Sequence, residues 1–372
     1  MSISQVSTMA PEDGTIRVRR VVPQLIALAW IPLCFAFASV NQQFLPDKYF
    51  ADSQHIDSLA LVASGPSPDA FITMAWIYRS LGAFEFPEAT QLITLGLFFV
   101  LLFRCVDWMD VSRFGVIEVA LFCFCGAEAS IYLAQYSKES MVVLMVLALA
   151  VMPRRVPGDL IFIVLVCGYA YAIREYWYVV AGLYVAFRLL LRAKKARWIP
   201  LCVVIAMLII AFGTYAFLGV NLSYFRDVVA QTNSLYAQSA IQDYIPVGGP
   251  VGGAANGLCS LVLFIIPIPL FLAPTPLYLA FAVLITVLWI SVFLVVGKGT
   301  RLGWFTSDVR LARAVSLLLA MLIVQAIFEP DYGSYIKHLT PLLPLFFIAL
   351  KARRLDEGAD EPVERSQCAI AR

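Results

Sequence analysis

The chain has 372 residues, of which 61% are hydrophobic and 14% charged, with a formal net charge of +2 and a mean hydropathy of +0.83. Soluble domains average about 45–50% apolar and about 25% charged residues, so the composition excludes an ordinary soluble enzyme and points to an all-α, polytopic integral membrane protein. No ATP-binding loop, GxGxxG, HExxH or EF-hand pattern occurs, which argues against soluble nucleotide chemistry and against the common metal sites.

Residues 1–20 read as a loose polar tail ending in RVRR, followed by a first apolar span over 21–40. An apolar run after a basic patch also fits a signal peptide; the many later spans favour an uncleaved helix. A polar loop follows, and 71–84 is apolar but too short to cross a membrane at about 1.5 Å per residue. It reads as an interfacial or re-entrant helix, so that 41–88 forms one outer region. Further spans are expected at 89–106, 114–136, 140–152, 160–173, 176–191 and 199–220. A second outer loop, 221–256, ends in the glycine-rich VGGPVGGAANG. The stretch 257–276 is apolar but broken by Pro267, Pro269, Pro274 and Pro276, and reads as re-entrant. The last spans are 277–296, 314–328 and 335–350, before a charged tail over 351–372. The expectation is about ten transmembrane helices plus two partial or re-entrant ones.

Cytoplasmic loops carry the excess of Lys and Arg. With ten crossings and both termini inside, all of the 27 basic residues fall inside except Lys48, Arg79, Lys138, Arg174, Arg226 and Lys337. The same assignment puts DKYFADSQHID, YSKES, IREYW, the 221–256 loop and EPDYGSYIKH on the outer face. Seven of the eight cysteines lie in or beside apolar runs, a pattern that fits neither a disulfide framework nor a metal site. No metal and no cofactor are expected.

Charges at membrane depth are costly and usually face a cavity, a partner or a bundle interior. Lys138–Glu139 and Arg174–Glu175 each set an acid beside a base between apolar helices. Either pair reads as an interfacial salt bridge or a snorkelling anchor, or as part of a site. Arg174 lies among aromatics in YAYAIREYWYVV, where stacking can hold a guanidinium rigid and ready for an anionic phosphate. Asp52, with His55 and Asp57, lies in the first outer loop, where a carboxylate can serve as a general base or simply be solvated. Glu128 lies inside a span and is equally readable as a partner of Arg174 or Lys138 and as half of a buried structural pair. In EPDYGSYIKH, Pro330 and Gly333 break the helix; Lys337 and His338 then open the last span, suited to a phosphate leaving group or to the headgroup level alone.

The order of these motifs resembles the Wzy/EpsG-type polymerases of bacterial surface polysaccharides, which are similar in architecture to GT-C glycosyltransferases. The matching pieces are YFADSQHI in an acidic first outer loop, the SKES knot, the IREYW knot and the late GSYIKHLTPLLPL. The family commonly carries an Arg-His pair where this chain has Lys337 and His338. The resemblance implies joining of polyprenyl-pyrophosphate-linked oligosaccharide units at the outer face of the bacterial inner membrane. Lys138, Arg174 and Lys337 would contact pyrophosphate, Tyr335 would join them in binding substrate, Asp52 or Glu139 would be the base, and His338 would assist the leaving phosphate. It further implies the lipid bilayer and a chain-length regulator as partners, and no nucleic acid. Two other readings remain open: a different membrane glycosyltransferase using a polyprenyl-phosphate sugar, and a transporter or flippase, which broken helices also fit.

Overall fold

The protein is described here by a computed structural model covering residues 13–232, 239–273 and 275–360. Among these residues the regular structure is helical, with fifteen α-helices of eight residues or more. They are α1 (Asp13–Ala38), α2 (Ala51–Ser58), α3 (Ala70–Ser80), α4 (Pro87–Cys105), α5 (Val116–Tyr132), α6 (Glu139–Val151), α7 (Val156–Ala172) and α8 (Trp177–Arg192). There follow α9 (Ile199–Leu218), α10 (Tyr224–Thr232), α11 (Gly249–Ile265), α12 (Pro276–Leu302), α13 (Val309–Phe328), α14 (Tyr332–Leu339) and α15 (Leu343–Asp360). Six stretches are long and apolar enough to cross a membrane: Val21–Ala38, Pro87–Cys105, Ala196–Leu218, Pro276–Leu302, Val309–Phe328 and Tyr332–Arg354. The chain is therefore an all-α membrane protein.

Helix α13 is the core of the bundle. Of its apolar window 94% is buried, and it packs along α8, α11 and α15. Its start is capped by Asp308, whose side chain accepts from the backbone N–H groups of Arg310 and Leu311. Its end follows from Pro330. A proline disfavours helical backbone in the residue before it, and Glu329 is extended at φ −80°, ψ 125°. Asp331 then caps α14, accepting from Ser334 N at 2.9 Å. The break in EPDYGSYIKH thus turns Glu329 and the start of α14 into one corner.

Polar residues gather at the two ends of the bundle. At the end reached by the starts of α6, α8 and α14 lie Asp52, Lys138, Glu139, Arg174, Glu329, Lys337 and His338. At the far end Arg313, which is buried, donates to Asp159 at 2.8 Å and to the carbonyls of Met152, Pro153 and Arg155. Arg188 and Tyr184 complete the hydrogen bonds of Asp159. This knot ties α7, α8 and α13 together. Arg313→Ala leaves a partly exposed carboxylate with Arg188 as its one remaining ion-pair partner among the described residues and strips a donor from three carbonyls, and is expected to cost about 2 kcal/mol, read as a fall in the unfolding midpoint in detergent.

Three segments depart from the sequence expectation. Helix α1 begins at Asp13, so RVRR is helical and the tail boundary at residue 20 is not a structural one; residues 1–12 lie outside the described residues. Helix α15 continues to Asp360, and its Lys351 and Arg354 pair with Asp107, Asp110 and Glu118. The charged stretch after Leu350 is thereby drawn into the fold as far as the description reaches. The glycine-rich stretch is the first half of α11, not a loop. Side chains there would collide: a Cβ on Gly253 would sit 3.1 Å from Leu222, and one on Gly257 3.1 Å from Met207 of α9. Small residues let two apolar helices approach closely. Helix α9 follows directly on the short turn Ala196–Trp198 after Lys194, near which α12 ends, since a Cβ at Gly303 would lie 3.2 Å from Lys194. Phe281 near the start of α12 meets Phe124 of α5. Helix α9 thus leaves the far end and α12 returns to it, and among the described residues α11 is the single long helix between them.

Candidate functional site

The site is built from five segments far apart in sequence. The Tyr136–Ser140 turn supplies Lys138 and Glu139. Tyr78 of α3 holds that turn: its Oη lies 2.9 Å from both the Ser137 carbonyl and Ser140 Oγ, and accepts from Ser137 N at 3.1 Å. Ser137 Oγ in turn accepts from Glu139 N at 2.9 Å. Ser53 of α2 accepts from Tyr136 N at 3.2 Å, which places Asp52 beside the same turn. Short helices α2 and α3 therefore form a buttress over the start of α6.

Four residues form a continuous chain of charge. Arg174, between α7 and α8, donates through Nη2 to Glu139 Oε1 at 2.8 Å. The same nitrogen lies 3.0 Å from His338 Nε2, and His338 Nε2 lies 3.0 Å from Glu139 Oε1. On its other side His338 Nδ1 contacts Glu329 Oε1, and Glu329 Oε2 accepts from Ser334 Oγ. The Glu329 carboxylate selects Nδ1–H as a donor. Nε2 is then placed either to accept from Arg174 or, when protonated, to donate to Glu139. Glu139 is fully buried, yet its Oε2 has no hydrogen-bond partner. Burial pushes the Glu329 carboxyl up, but His338, Ser334 and Arg174 outweigh it and hold the group below the usual range.

A second pair lies beside the first. Lys337 Nζ is 2.5 Å from Asp52 Oδ2, with both side chains partly exposed, at 19% and 28%. Burial raises the Asp52 carboxyl, and the charges of Lys337 and Lys138 more than reverse this, so it sits below the ordinary carboxylate range. Lys138 differs from both other cations. Its Nζ lies 3.4 Å from the centroid of the Phe71 ring, and no acid lies within ion-pair distance of it among the described residues. Burial, then the charge of Arg174, push its ammonium down to about 8 despite Asp52 and Glu139.

Magnitudes separate the roles of these cations. A partly exposed ion pair such as Asp52–Lys337 contributes about 1 kcal/mol. Breaking a buried pair such as Arg174–Glu139 costs about 3–5 kcal/mol. Lys337 and Lys138 can therefore turn towards an incoming anion at little cost, while Arg174 stays where Glu139 holds it.

Of the residues singled out in the sequence, six converge: Asp52, Lys138, Glu139, Arg174, Lys337 and His338. Tyr335 does not join them. It faces the opposite side of α14, fully buried, stacked on Phe264 with centroids 4.2 Å apart. Its hydroxyl accepts from Trp289 Nε1 at 2.6 Å and donates to the Phe264 carbonyl at 3.2 Å. That is the environment of a packing residue that locks α14 to α11 and α12. His55 is exposed and packs edge-on against Phe71, and no hydrogen bond joins Glu128 to Arg174 or Lys138. Sequence reading missed Glu329, Phe71, Tyr78 and Ser334. The acid in front of a proline was the available signal for Glu329. Phe71 and Tyr78 lie in an apolar helix with nothing to mark them. Among the described residues no group of three or more His, Cys, Asp and Glu is arranged to hold a metal.

The sequence was compared with family models, curated proteins and solved structures, and none matches.

Proposed function

We propose that this protein joins lipid-pyrophosphate-linked oligosaccharide units into a surface polysaccharide, by glycosyl transfer at the outer face of a bacterial inner membrane. The observation that carries this reading is the convergence of two adjustable cations, a fixed arginine and a buried carboxylate with a free oxygen at one end of the bundle. Lys138 and Lys337 take the pyrophosphate oxygens of donor and acceptor. Glu139, anchored through Oε1, offers Oε2 to the acceptor hydroxyl as general base. Arg174 keeps Glu139 and His338 in register, and His338 stands ready to pass a proton towards the leaving phosphate. Basic side chains stabilise such a leaving group by charge alone.

The helix ends favour ten crossings with both termini on the cytoplasmic side: α1, α4 to α9, α12, α13 and the joined α14–α15. The site end is then periplasmic and the far end, with Arg188 and Arg313, cytoplasmic, in accord with the excess of basic residues inside. Helix α11 and the proline break that follows it at Pro267 favour a second reading as a transporter or flippase of lipid-linked or polar solutes. Deletion of the gene separates the two. A polymerase mutant retains single repeat units capped on lipid and exportable to the surface, with no longer glycan. A flippase mutant holds its lipid-linked units at the cytoplasmic leaflet, and that outcome sinks the polymerase reading.

Lys138 adds a pH signature. Its ammonium loses its proton near pH 8, so the anion-binding charge is complete below that value and lost above it. The KM for the lipid-linked substrate is expected to rise several-fold between pH 7 and pH 9. Arg stays protonated throughout this range, so Lys138→Arg flattens the profile; an unchanged profile in that variant excludes Lys138 as the source.

A further inference from the structure

A cavity of about 450 Å³ opens on the side of the bundle between α1 and α4, lined by Phe35, Gly96, Phe99, Val100, Phe103 and Arg104. It is apart from the charged cluster. Arg104 lies at the end of α4 that reaches the far polar belt, where the Arg104 carbonyl accepts from Arg310 and Lys351 pairs with Asp107 and Asp110. From Arg104 to Gly96 the helix climbs about 12 Å at ~1.5 Å per residue, close to one leaflet of a hydrocarbon core about 30 Å thick. The walls are aromatic, with Phe35 and Phe99 stacked at 5.8 Å. Gly96 keeps the floor open, since a Cβ there already reaches van der Waals distance of Phe35 at 4.0 Å. Arg104 is exposed and no acid lies within ion-pair distance of it among the described residues.

We propose that this groove is a binding site for an anionic phospholipid of the far leaflet, with one acyl chain between α1 and α4 and its phosphate on Arg104. A guanidinium suits a phosphate, which it can grip through two N–H groups, and the depth of the groove matches one acyl chain. The occupant is a lipid of the leaflet opposite the charged site, because the polar mouth of the groove faces the far end. It adds contacts between α1 and α4 beside the seam that α1 already makes with α5.

Native mass spectrometry of the full-length protein, delipidated and titrated with phosphatidylglycerol or phosphatidylcholine, tests this. Phosphatidylglycerol is expected to bind about tenfold more tightly than phosphatidylcholine. Arg104→Gln, an exposed change that leaves the fold intact, removes that preference. Gly96→Leu fills the groove and weakens both lipids. Equal binding of the two lipids by the wild type, or an undiminished preference in Arg104→Gln, overturns the proposal. So does displacement of phosphatidylglycerol by a polyprenyl phosphate or by a second copy of the chain.

Discussion

Under the proposed glycosyl transfer, Arg174→Lys is expected to lower turnover of the lipid-linked substrate by about 10²-fold, the order expected when catalytic groups are misplaced by about 1 Å, while the protein stays folded. The reason lies in geometry rather than charge. Arg174 Nη2 meets both Glu139 Oε1, at 2.8 Å, and His338 Nε2, at 3.0 Å. An ammonium is a point charge on a flexible stem and does not reproduce a planar fork held between Glu139 and His338. Arg174→Ala is the less informative variant. It strands the buried Glu139 carboxylate, at about 3–5 kcal/mol, and so confounds loss of activity with loss of fold. Product formed by vesicles containing purified protein, alongside unfolding midpoints, distinguishes the two effects. Wild-type turnover in a stable Arg174→Lys protein removes Arg174 from the mechanism.

Under the same reading, Glu139→Gln is expected to lose about 10²–10⁴-fold in kcat, the range for removal of a general base, with KM almost unchanged. Two carboxylates compete for this role, and their surroundings separate them. Asp52 is partly exposed, and Lys337 sits on it. Glu139 is buried, is held through its own N–H by Ser137 and through Oε1 by Arg174, and keeps Oε2 free. The amide still accepts from Arg174, so the fold survives the exchange. Asp52→Asn is expected to cost about tenfold or less, through looser placement of Lys337. Full turnover in Glu139→Gln together with its loss in Asp52→Asn reverses the assignment.

Both variants depend on contacts that sequence reading approached from one side. The knots at Lys138–Glu139, Arg174 and Lys337–His338 stood out because charge is costly beside apolar helices. Their grouping on one face followed from counting basic residues. Nothing in the sequence said that Arg174 would pair with Glu139 instead of its neighbour Glu175, because partner choice depends on how α6, α7 and α8 are rotated against one another. Glu329 escaped for the same reason. Its extended backbone before Pro330 was foreseeable, but its use by His338 nine residues later requires the turn to close. Tyr335 shows the reverse case. It shares a stretch with Lys337 and His338, yet the helical twist of α14 sends it to the opposite side, onto Phe264 and Trp289.

The amino-acid sequence by itself determined that the chain lives in a membrane, where its helices break and which polar knots needed explaining. Those properties follow from local chemistry: apolar length, proline and glycine backbone preferences, and the cost of burying charge. Only the tertiary structure decided that the glycine-rich stretch is a helix pressed against α9, that Lys138 rests on Phe71 with no acid of the described residues within ion-pair distance, and that Glu139 keeps one oxygen unclaimed. Those properties depend on which faces of separate helices meet, and packing between segments distant in the chain settles that. EPDYGSYIKH belongs to both halves. Its break is written in Pro330, while its role as the corner joining Glu329, His338 and Arg174 exists only in the assembled bundle.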